Sequence, residues 1–374
     1  MAICAVVFGV LLLCVILWEA LEVLVLPRTV TRKLRLTRFF YMFTWGAWTR
    51  LVTALVRKRS QDRILGIYGP ASLLLLMTFW VLCLILAFTL VQWGLGSHVV
   101  FNAIQERPNF FSDLYLSATT FFTLGYGDIT PSTSLARSIA VTEAGVGFGF
   151  LAIIISYLPV LYQSFSRREV GISRLDARAG SPPSAGELLR RHAYGKSMEE
   201  LTPLLDDWER WASDVLESHL SYPVLAYYRS QHDRESWLSA LTAILDTCAL
   251  VSLRFENAPG WQDGLLWQSR LTFAMARHTI VDLCLVLGIA PTPPQQNRLS
   301  EEEFARLCGV LTAHGIPLRA DNRSYEILAK MRKQYEPYVN GLADRLLLEL
   351  PPWLPETETP DNWQVTAWDH HDHF

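Results

Sequence analysis

Charged side chains are scarce in this sequence. Asp, Glu, Lys and Arg make up 18% of its 374 residues, whereas hydrophobic residues make up 51%. The mean hydropathy is +0.19. This composition excludes an intrinsically disordered chain, which would be poor in apolar residues and rich in charge. It is typical of a protein that lies partly inside a bilayer and partly in water.

Cysteine is also rare, and the six cysteines have no close spacing: Cys4, Cys14, Cys83, Cys248, Cys284 and Cys308. The first three fall in apolar runs, and the others are scattered through the more polar half. Neither a disulfide framework nor a cysteine zinc site is therefore predicted, which fits a reducing cytosol.

Signatures of enzymes and of common regulatory domains are missing as well. No G-x-G-x-x-G follows a predicted strand, no β-rich nucleotide-binding roll is indicated, and no apolar run carries Arg at every third residue. Because no nucleophile, phosphate loop or metal cluster is found, we predict neither an enzyme nor a cofactor. Two groupings, His278 with Asp282 and the stretch 369–373, have spacings compatible with a metal, but a buried capping pair and a solvated tail are the more ordinary interpretations.

Three apolar runs, at 2–26, 70–93 and 137–163, are long enough to span a hydrocarbon core, which needs about 20 residues. No basic residue precedes the first run and no small-residue cleavage site follows it, so we do not expect a signal peptide. A block of basic residues lies between the first and second runs: Arg28, Arg32, Lys33, Arg35, Arg38, Arg50, Arg57, Lys58, Arg59 and Arg63. The positive-inside rule places this block in the cytosol, the N-terminus outside and the C-terminus in the cytosol.

The segment 35–57 is too polar to span a membrane, yet it carries aromatic residues at helical spacing between its arginines. We predict a helix in the inner headgroup layer, which acts as an anchor or, alternatively, senses anionic lipid or transmits gate motion to the pore. Glu19 and Glu22, near the inner end of the first run, are expected to reach water or to pair with the basic block. A role in ion permeation is the alternative.

One stretch between the second and third runs carries the most specific pattern. Residues 112–131 read S-D-L-Y-L-S-A-T-T-F-F-T-L-G-Y-G-D-I-T-P. Gly125 and Gly127 supply positive φ without a Cβ clash, so that successive carbonyls can point the same way. Carbonyl oxygens lining a narrow pore replace the hydration shell of a cation. We therefore predict a cation-binding segment made of Thr123, Leu124, Gly125, Tyr126, Gly127 and Asp128.

This T-L-G-Y-G-D segment, placed between two apolar spans, resembles the pore loop of the potassium channel superfamily. The likeness is closest to bacterial channels with two pore-forming helices and one filter per chain. Leu124 stands where Val or Ile is usual, and Phe122 where a second Thr often precedes the filter; Phe122 is expected to point behind the filter. Tyr126, rather than an acidic residue, implies potassium selectivity, so the resemblance implies that K⁺ binds at Thr123, Leu124, Gly125 and Tyr126. Since each chain carries one filter, the resemblance implies a homotetramer, with membrane lipids as further partners.

The third span carries the gating candidates Glu143, Gly147 and Pro159. Gly145, Gly147 and Gly149 permit close packing of small residues or a hinge, and in the superfamily the position matched by Gly147 is often the hinge. Pro159 should kink the helix, and Leu151 and Ile155 would join it in a hydrophobic constriction. Glu143 should turn inward, to Thr119, Thr120 or a neighbour's backbone, as a strut or as a protonatable element.

The predicted fold class is an all-α membrane protein with three transmembrane helices, a re-entrant pore loop and an all-α cytosolic domain. Its divisions are a first helix over 1–27, the interfacial segment over 28–66, a pore domain over 67–168, a linker over 169–186 and the cytosolic domain over 187–374. Within the pore domain, helices are expected at 70–93, 112–123 and 137–163, with the filter at 123–128. Cytosolic helices are expected at 197–218, 234–256, 265–287, 301–314 and 322–350.

The predicted function is passive K⁺ conduction through a tetrameric, carbonyl-lined pore of a bacterial inner membrane, gated at the inner helix by an unknown cytosolic stimulus. An unidentified ligand or protein at the cytosolic domain, and no nucleic acid, complete the predicted partners. The alternative is a membrane-anchored receptor or signalling protein whose pore-like segment serves assembly. A potassium-uptake transporter would need several filter repeats in one chain, and only one is found.

Overall fold

The computed structural model describes residues 2–24, 36–102, 107–194, 200–231, 234–257, 263–294, 297–355 and 361–364. The chain divides into two compact units, Met1–Gln163 and Ser164–Phe374. Within the described residues, almost all regular structure is helical, and three helices are long and apolar enough to cross a membrane. The predicted fold class, an all-α membrane protein with further helical regions, is confirmed.

The described residues of the first unit form five helices and a short strand pair. Its elements are α1 (Ala2–Leu24), α2 (Leu36–Leu55), α3 (Lys58–Gly94), β1 (Val99–Phe101), α4 (Phe110–Phe121), β2 (Ile129–Pro131) and α5 (Ser134–Ala179), of which the last continues into the second unit. Helix α1 packs along α3 at close range. A Cβ atom at Gly9 would lie 2.8 Å from the Ala87 carbonyl oxygen, and one at Gly94 would lie 2.7 Å from Cγ2 of Val6. One glycine on each helix therefore permits their close approach where the N-terminal part of α1 meets the C-terminal part of α3.

The core of this unit holds helix α4 in place. Its buried side chains come from four helices: Ile16, Leu76, Trp80, Leu84, Phe121 and Phe150. The Trp80 and Phe150 rings meet edge to face with centroids 6.2 Å apart. Because α1, α3, α4 and α5 all contribute, the end of α4 that precedes the predicted filter is fixed by packing from several sides.

Helices α3 and α5 are longer than the apolar runs that predict them. Helix α3 begins at Lys58 rather than at 70, so Pro70 lies inside it and not in its first turn. The Ser72 hydroxyl donates to the Gly69 carbonyl (2.9 Å) beside this proline. Helix α5 runs through Pro159 to Ala179, past the predicted end at 163, so residues 169–179 of the predicted linker are helical.

Helix α2 covers the segment predicted to lie in the headgroup layer. It packs on α3 through Trp45, whose ring centroid lies 4.7 Å from that of Tyr68, and through a 2.8 Å hydrogen bond between Thr44 and the Tyr68 hydroxyl. Phe43 and Leu51 remain exposed on its other side. The basic residues between 25 and 35 lie outside the described part of the chain.

The start of α2 has an unexpected partner, Glu19 of α1. Its carboxylate accepts hydrogen bonds from the backbone N–H groups of Leu36 (3.2 Å) and Thr37 (3.3 Å) and from the Thr37 hydroxyl (2.9 Å). Glu19 is buried, so the prediction that it reaches water was wrong. It caps a helix N-terminus instead, where N–H groups lack helical partners and negative charge is favoured.

The second unit is a helical assembly around α8. Its elements are the end of α5, α6 (Ala185–Tyr194), α7 (Leu201–Ser221), α8 (Trp237–Asn257), α9 (Asp263–Leu287), α10 (Glu301–Ala313), α11 (Asn322–Arg332) and α12 (Glu336–Leu346). Trp237, Leu241, Leu245 and Cys248 of α8 are fully buried. The helix predicted over 322–350 is two helices, interrupted before Pro337, whose backbone lacks an N–H donor. Helix α6 was not predicted, and the capping box predicted at Ser197 lies outside the described residues.

Candidate ion-conduction site

Helix α4 leads directly into the predicted filter. Its start is fixed by a capping box, in which Asn109 Oδ1 accepts from the Ser112 N–H (3.0 Å) and Ser112 Oγ accepts from the Asn109 N–H (2.9 Å). At its other end, the Leu124 N–H donates to the Thr119 carbonyl (2.8 Å). The filter backbone therefore continues from the last turn of α4, whose C-terminal end carries the negative end of the helix dipole.

The filter backbone alternates in the sign of φ. Thr123, Gly125 and Gly127 have φ of +56°, +58° and +76°, whereas Leu124 and Tyr126 do not have positive φ. The two glycines were predicted from the sequence, but Thr123 was not. A left-handed conformation costs a residue with a Cβ roughly 1–2 kcal/mol, so the position of Thr123 must be enforced by the bonds around it.

Four carbonyl groups of the predicted filter accept no hydrogen bond from the described residues. Within the described residues, no hydrogen bond ends on the carbonyl oxygens of Thr123, Leu124, Gly125 or Tyr126. Residues 122–128 are all exposed in the single chain, and Tyr126 keeps 69% of its surface. Strand pairing would consume such backbone acceptors, so this segment is free to present them to a ligand.

The outer end of the filter is held by Asn102, which sequence reasoning did not single out. Its side-chain amide donates to the Gly127 carbonyl (2.7 Å), and its backbone N–H donates to the Asp128 carbonyl (2.9 Å). Asn102 follows β1, which pairs antiparallel with β2 in the register Val99↔Pro131 and Phe101↔Ile129. No pattern in the sequence identifies it, because the pairing of two three-residue strands depends on tertiary structure.

Glu143 lies behind α4, fully buried. It contacts the Ser117 hydroxyl of α4 and the Gln92 amide nitrogen of α3 (3.4 Å). A contact between Glu143 and a hydroxyl of α4 was predicted correctly, but the predicted residue was wrong. Thr119 instead donates to the Tyr115 and Leu116 carbonyls of its own helix (3.0 Å each). Ser117 is one helical turn after buried Asp113, and this pair of polar positions on the apolar α4 is the signal that could have identified it.

The three glycines of α5 have different surroundings. A Cβ atom at Gly147 would lie 2.2 Å from the Phe121 carbonyl oxygen at the end of α4, whereas within the chain one at Gly145 or Gly149 would meet nothing within 4 Å. Gly147 is therefore a close-packing position, and its role as a hinge stays a prediction. Leu151, Ile155 and Pro159 are exposed, as an axial lining would require, but the gate they would form is likewise untested.

Beyond Gln163, α5 is held within the second unit by buried contacts. The Arg168 guanidinium donates to the carbonyls of Leu225 (2.8 Å) and Tyr228 (2.9 Å), and Trp211 Nε1 donates to the Arg168 carbonyl (3.1 Å). Burial and the Arg168 charge lower the pKa of His219 to about 3. His219 is therefore neutral at physiological pH and can accept from Arg168, whose Nη1 lies 3.3 Å from Nε2.

Of the two groupings with metal-like spacing, the structure describes the pair His278 and Asp282. His278 and Asp282 lie 3.6 Å apart on the surface of α9, so the expectation of a buried pair was wrong. The stretch 369–373 lies outside the described residues. Across the part of the chain that the structure describes, no group of three His, Cys, Asp or Glu side chains is arranged to hold a metal ion.

Comparison with known proteins relates the same region to channels. Residues 74–163 match a protein family described as "Ion channel". Protein LctB of Bacillus caldotenax is 36% identical over 85 residues, which are 21% of this chain and 63% of that protein. The small conductance calcium-activated potassium channel protein of Drosophila melanogaster is 32% identical over 88 residues, which are 24% of this chain and 8% of that protein.

A third relative, the probable potassium channel protein 2 of Methanocaldococcus jannaschii, is 33% identical over 78 residues, which are 21% of this chain and 22% of that protein. The chain thus spans less than two thirds of the length of each of these relatives. No solved structure matches it significantly. Residues 74–163 are therefore similar to ion channels, potassium channels among them, in a chain with three helices that are long and apolar enough to cross a membrane.

Proposed function

We propose that the chain is one subunit of a potassium-selective channel, in which four copies surround a passive pore. The observation that carries the proposal is the alternation of positive φ at Thr123, Gly125 and Gly127, together with the carbonyl oxygens of residues 123–126, which accept no hydrogen bond from the described residues. Such carbonyls, contributed by several chains, would replace the hydration shell of K⁺. Since one chain supplies only one side of a pore, closed fourfold symmetry is the simplest assembly.

The remaining parts of the proposal concern orientation in the membrane and gating. The basic segment before α3 would face the cytosol of a bacterial inner membrane, which puts the N-terminus outside and the helical second unit inside. Helix α5 would line the pore on its cytosolic side and carry the gate. An enzymatic activity is not proposed, because the matching family is described as "Ion channel" and no catalytic constellation was predicted.

The test is the reversal potential of purified protein in planar bilayers under opposed K⁺ and Na⁺ gradients. We expect a reversal near the potassium potential, which Gly125→Ala abolishes because its φ of +58° strains any residue with a Cβ. Gly145→Ala is the matched control, since it adds the same methyl group to a helix where the chain leaves open space. Current without K⁺ selectivity, or equal currents from both variants, would contradict the proposal.

A closed gate would abolish the current even in a genuine channel, so a second measurement must not depend on current. Ions that bind only the folded filter raise stability by mass action. We expect the assembled wild-type protein to withstand heating better in K⁺ than in Na⁺, and Gly125→Ala to lose that difference. A protein that passes no current and is equally stable in K⁺ and Na⁺ would favour the alternative, a membrane-anchored receptor in which the loop serves assembly.

A further inference from the structure

The buried carboxyl group of Glu143 has few partners for a charged group. It is fully buried within the first unit, and within the described residues no basic side chain lies in ion-pair contact with it. Its contacts are the Ser117 hydroxyl and the Gln92 amide nitrogen at 3.4 Å, a distance at the long end for a hydrogen bond. An ionised carboxylate buried with so little compensation would be very unfavourable.

A count of hydrogen atoms at Ser117 points the same way. Its Oγ lies 2.9 Å from the Ile85 carbonyl oxygen of α3 and also in contact with Glu143 Oε1. A serine hydroxyl carries one hydrogen, and a carbonyl oxygen can only accept. If Ser117 donates to Ile85, its contact with Glu143 is attractive only when the carboxyl group donates. If Ser117 donates to Glu143, two oxygen atoms face each other at 2.9 Å without a hydrogen between them.

The Gln92 side chain is also compatible with a protonated Glu143. The oxygen of its side-chain amide is buried and has no hydrogen-bond partner in the described part of the chain. Amide nitrogen and oxygen are assigned from the surrounding network, so the amide can present either atom to Glu143. A neutral acid offers one donor and one free carbonyl oxygen, which Ser117 and Gln92 can satisfy together.

The position of this contact gives it a consequence for the filter. Ser117 lies one turn before Phe121, the last residue of α4. The first N–H groups of the filter donate to carbonyls in the final turn of this helix, Thr123 to Thr120 (3.0 Å) and Leu124 to Thr119 (2.8 Å). One turn further along α5, Gly147 touches Phe121. The inner helix therefore holds the last turns of α4 at two levels, one polar and one by close packing.

We propose that Glu143 is a positioning residue for the filter, which as a neutral acid donates to Ser117 and so links α5 to α4 and, through Ile85 and Gln92, to α3. The inference rests on the proposed function for its consequence, ion selectivity. It does not rest on that function for the protonation state or for the link between the helices.

The first experiment compares the ratio of K⁺ to Na⁺ permeability in four variants. Glu143→Gln keeps a neutral donor and should retain the wild-type ratio. Glu143→Leu and Ser117→Ala remove the link and should lower the ratio by about tenfold, the effect of losing one buried hydrogen bond of about 1.4 kcal/mol. Thr142→Ala is the matched control, because this adjacent hydroxyl is exposed and bonds only the Ser138 carbonyl of its own helix (2.9 Å).

The outcomes separate positioning from mere stability. The proposal is supported if Glu143→Gln keeps the wild-type permeability ratio while Glu143→Leu or Ser117→Ala lowers it. A wild-type ratio in both Glu143→Leu and Ser117→Ala overturns it. A loss in Glu143→Gln as severe as in Glu143→Leu also overturns it, since an anion would then be required. Should Glu143→Leu fail to assemble, Ser117→Ala carries the same comparison.

A second experiment does not depend on conduction. The infrared difference spectrum of the full-length wild-type protein against Glu143→Gln should contain the carbonyl stretching band of a protonated carboxylic acid. A pair of carboxylate bands in its place would overturn the neutral state. Because this readout survives even if the protein passes no ions, failure of the inference and failure of the proposed function can be told apart.

Discussion

Gly147 differs from the glycines two positions before and after it in what surrounds it. All three look alike in the sequence, and spacing alone allows either a hinge or a packing role. The structure separates them, because the Phe121 carbonyl of α4 occupies the space where a Gly147 side chain would lie, while Gly145 and Gly149 are open within the chain. Helical periodicity predicts which residues share a face, but not which backbone atom of another helix approaches it.

We predict that Gly147→Ala destabilises the assembled protein by about 1–3 kcal/mol, the usual cost of overpacking, and displaces the end of α4. Gly145→Ala should leave stability unchanged or raise it slightly, because alanine is the better helix former. Thermal unfolding in detergent and the amplitude of K⁺ current measure the two effects. Equal behaviour of the two variants would show that close packing at Phe121 does not matter.

Glu235 is a second residue whose surroundings set its chemistry. Burial, and repulsion from Asp176 and Glu169, raise the pKa of its carboxyl group to about 7, and one carboxyl oxygen accepts from the Asn362 amide (3.1 Å). A carboxyl group with a raised pKa in the folded state binds its proton more tightly there than in the unfolded chain. Its contribution to stability is therefore most favourable below about pH 4.5 and is lost as the pH rises to about 7.

Glu235→Gln should remove this dependence and stabilise the protein above about pH 7. Since the side chain keeps partial contact with water, screening reduces the expected gain to about 1 kcal/mol. Unfolding temperatures of wild type and variant at the two ends of this pH range measure the difference. Glu217→Gln, at an exposed position of α7, is the control and should show no such gain.

At the scale of elements, the polar contacts at helix ends were the hardest features to predict. Glu19 lies in the sequence like any carboxylate near a membrane surface, yet it caps α2, which begins 17 residues later. Pro70 favours a helix start at that position, but the helix continues through it, with Tyr68 and Ser72 making tertiary and local contacts on either side. Such overrides of local preference come from packing partners that are distant in sequence.

Loss of the cap on α2 is expected to be measurable. Glu19→Ala should destabilise the first turn of α2 by about 1 kcal/mol, as the loss of a helix cap usually does. Hydrogen exchange at the Leu36 and Thr37 amides should accelerate accordingly. Glu19→Gln keeps one acceptor oxygen and should have a smaller effect, whereas unchanged exchange in Glu19→Ala would show that α2 is held by its packing on α3 alone.

For the whole molecule, the parts that the sequence predicts best are those with strong periodicity or a rigid backbone requirement. The three apolar helices and the positive φ of Gly125 and Gly127 belong to this class. The left-handed Thr123, the Asn102 anchor and the Ser117–Glu143 contact do not, because each depends on atoms from separate elements. Long-range pairing leaves no local signature, so only the structure reveals it.

Phe122 should report on assembly. Its ring is expected to point behind the filter, but in the single chain it is 56% exposed and meets the Phe121 ring edge to face, with centroids 5.7 Å apart. If four chains surround the filter, this side chain is buried between them. Phe122→Ala should then lower the temperature at which the tetramer dissociates, by more than Phe8→Ala, which truncates an equally exposed ring (59%) on α1. Equal shifts, measured by native electrophoresis after heating, would argue against a contact between subunits at Phe122.

The 37 residues of α3 have a consequence for the surrounding bilayer. A helix of that length measures about 55 Å, whereas a hydrocarbon core is about 30 Å thick. Either the helix tilts, or its excess length at the Lys58 end extends into the headgroup layer together with α2, which is packed on Tyr68. The chain should therefore respond to acyl-chain length. Lipids with longer acyl chains should reduce the tilt of α3 and shift the fluorescence spectrum of Trp45. A spectrum that stays constant across bilayer thicknesses would show that this end of the helix does not respond to hydrophobic mismatch.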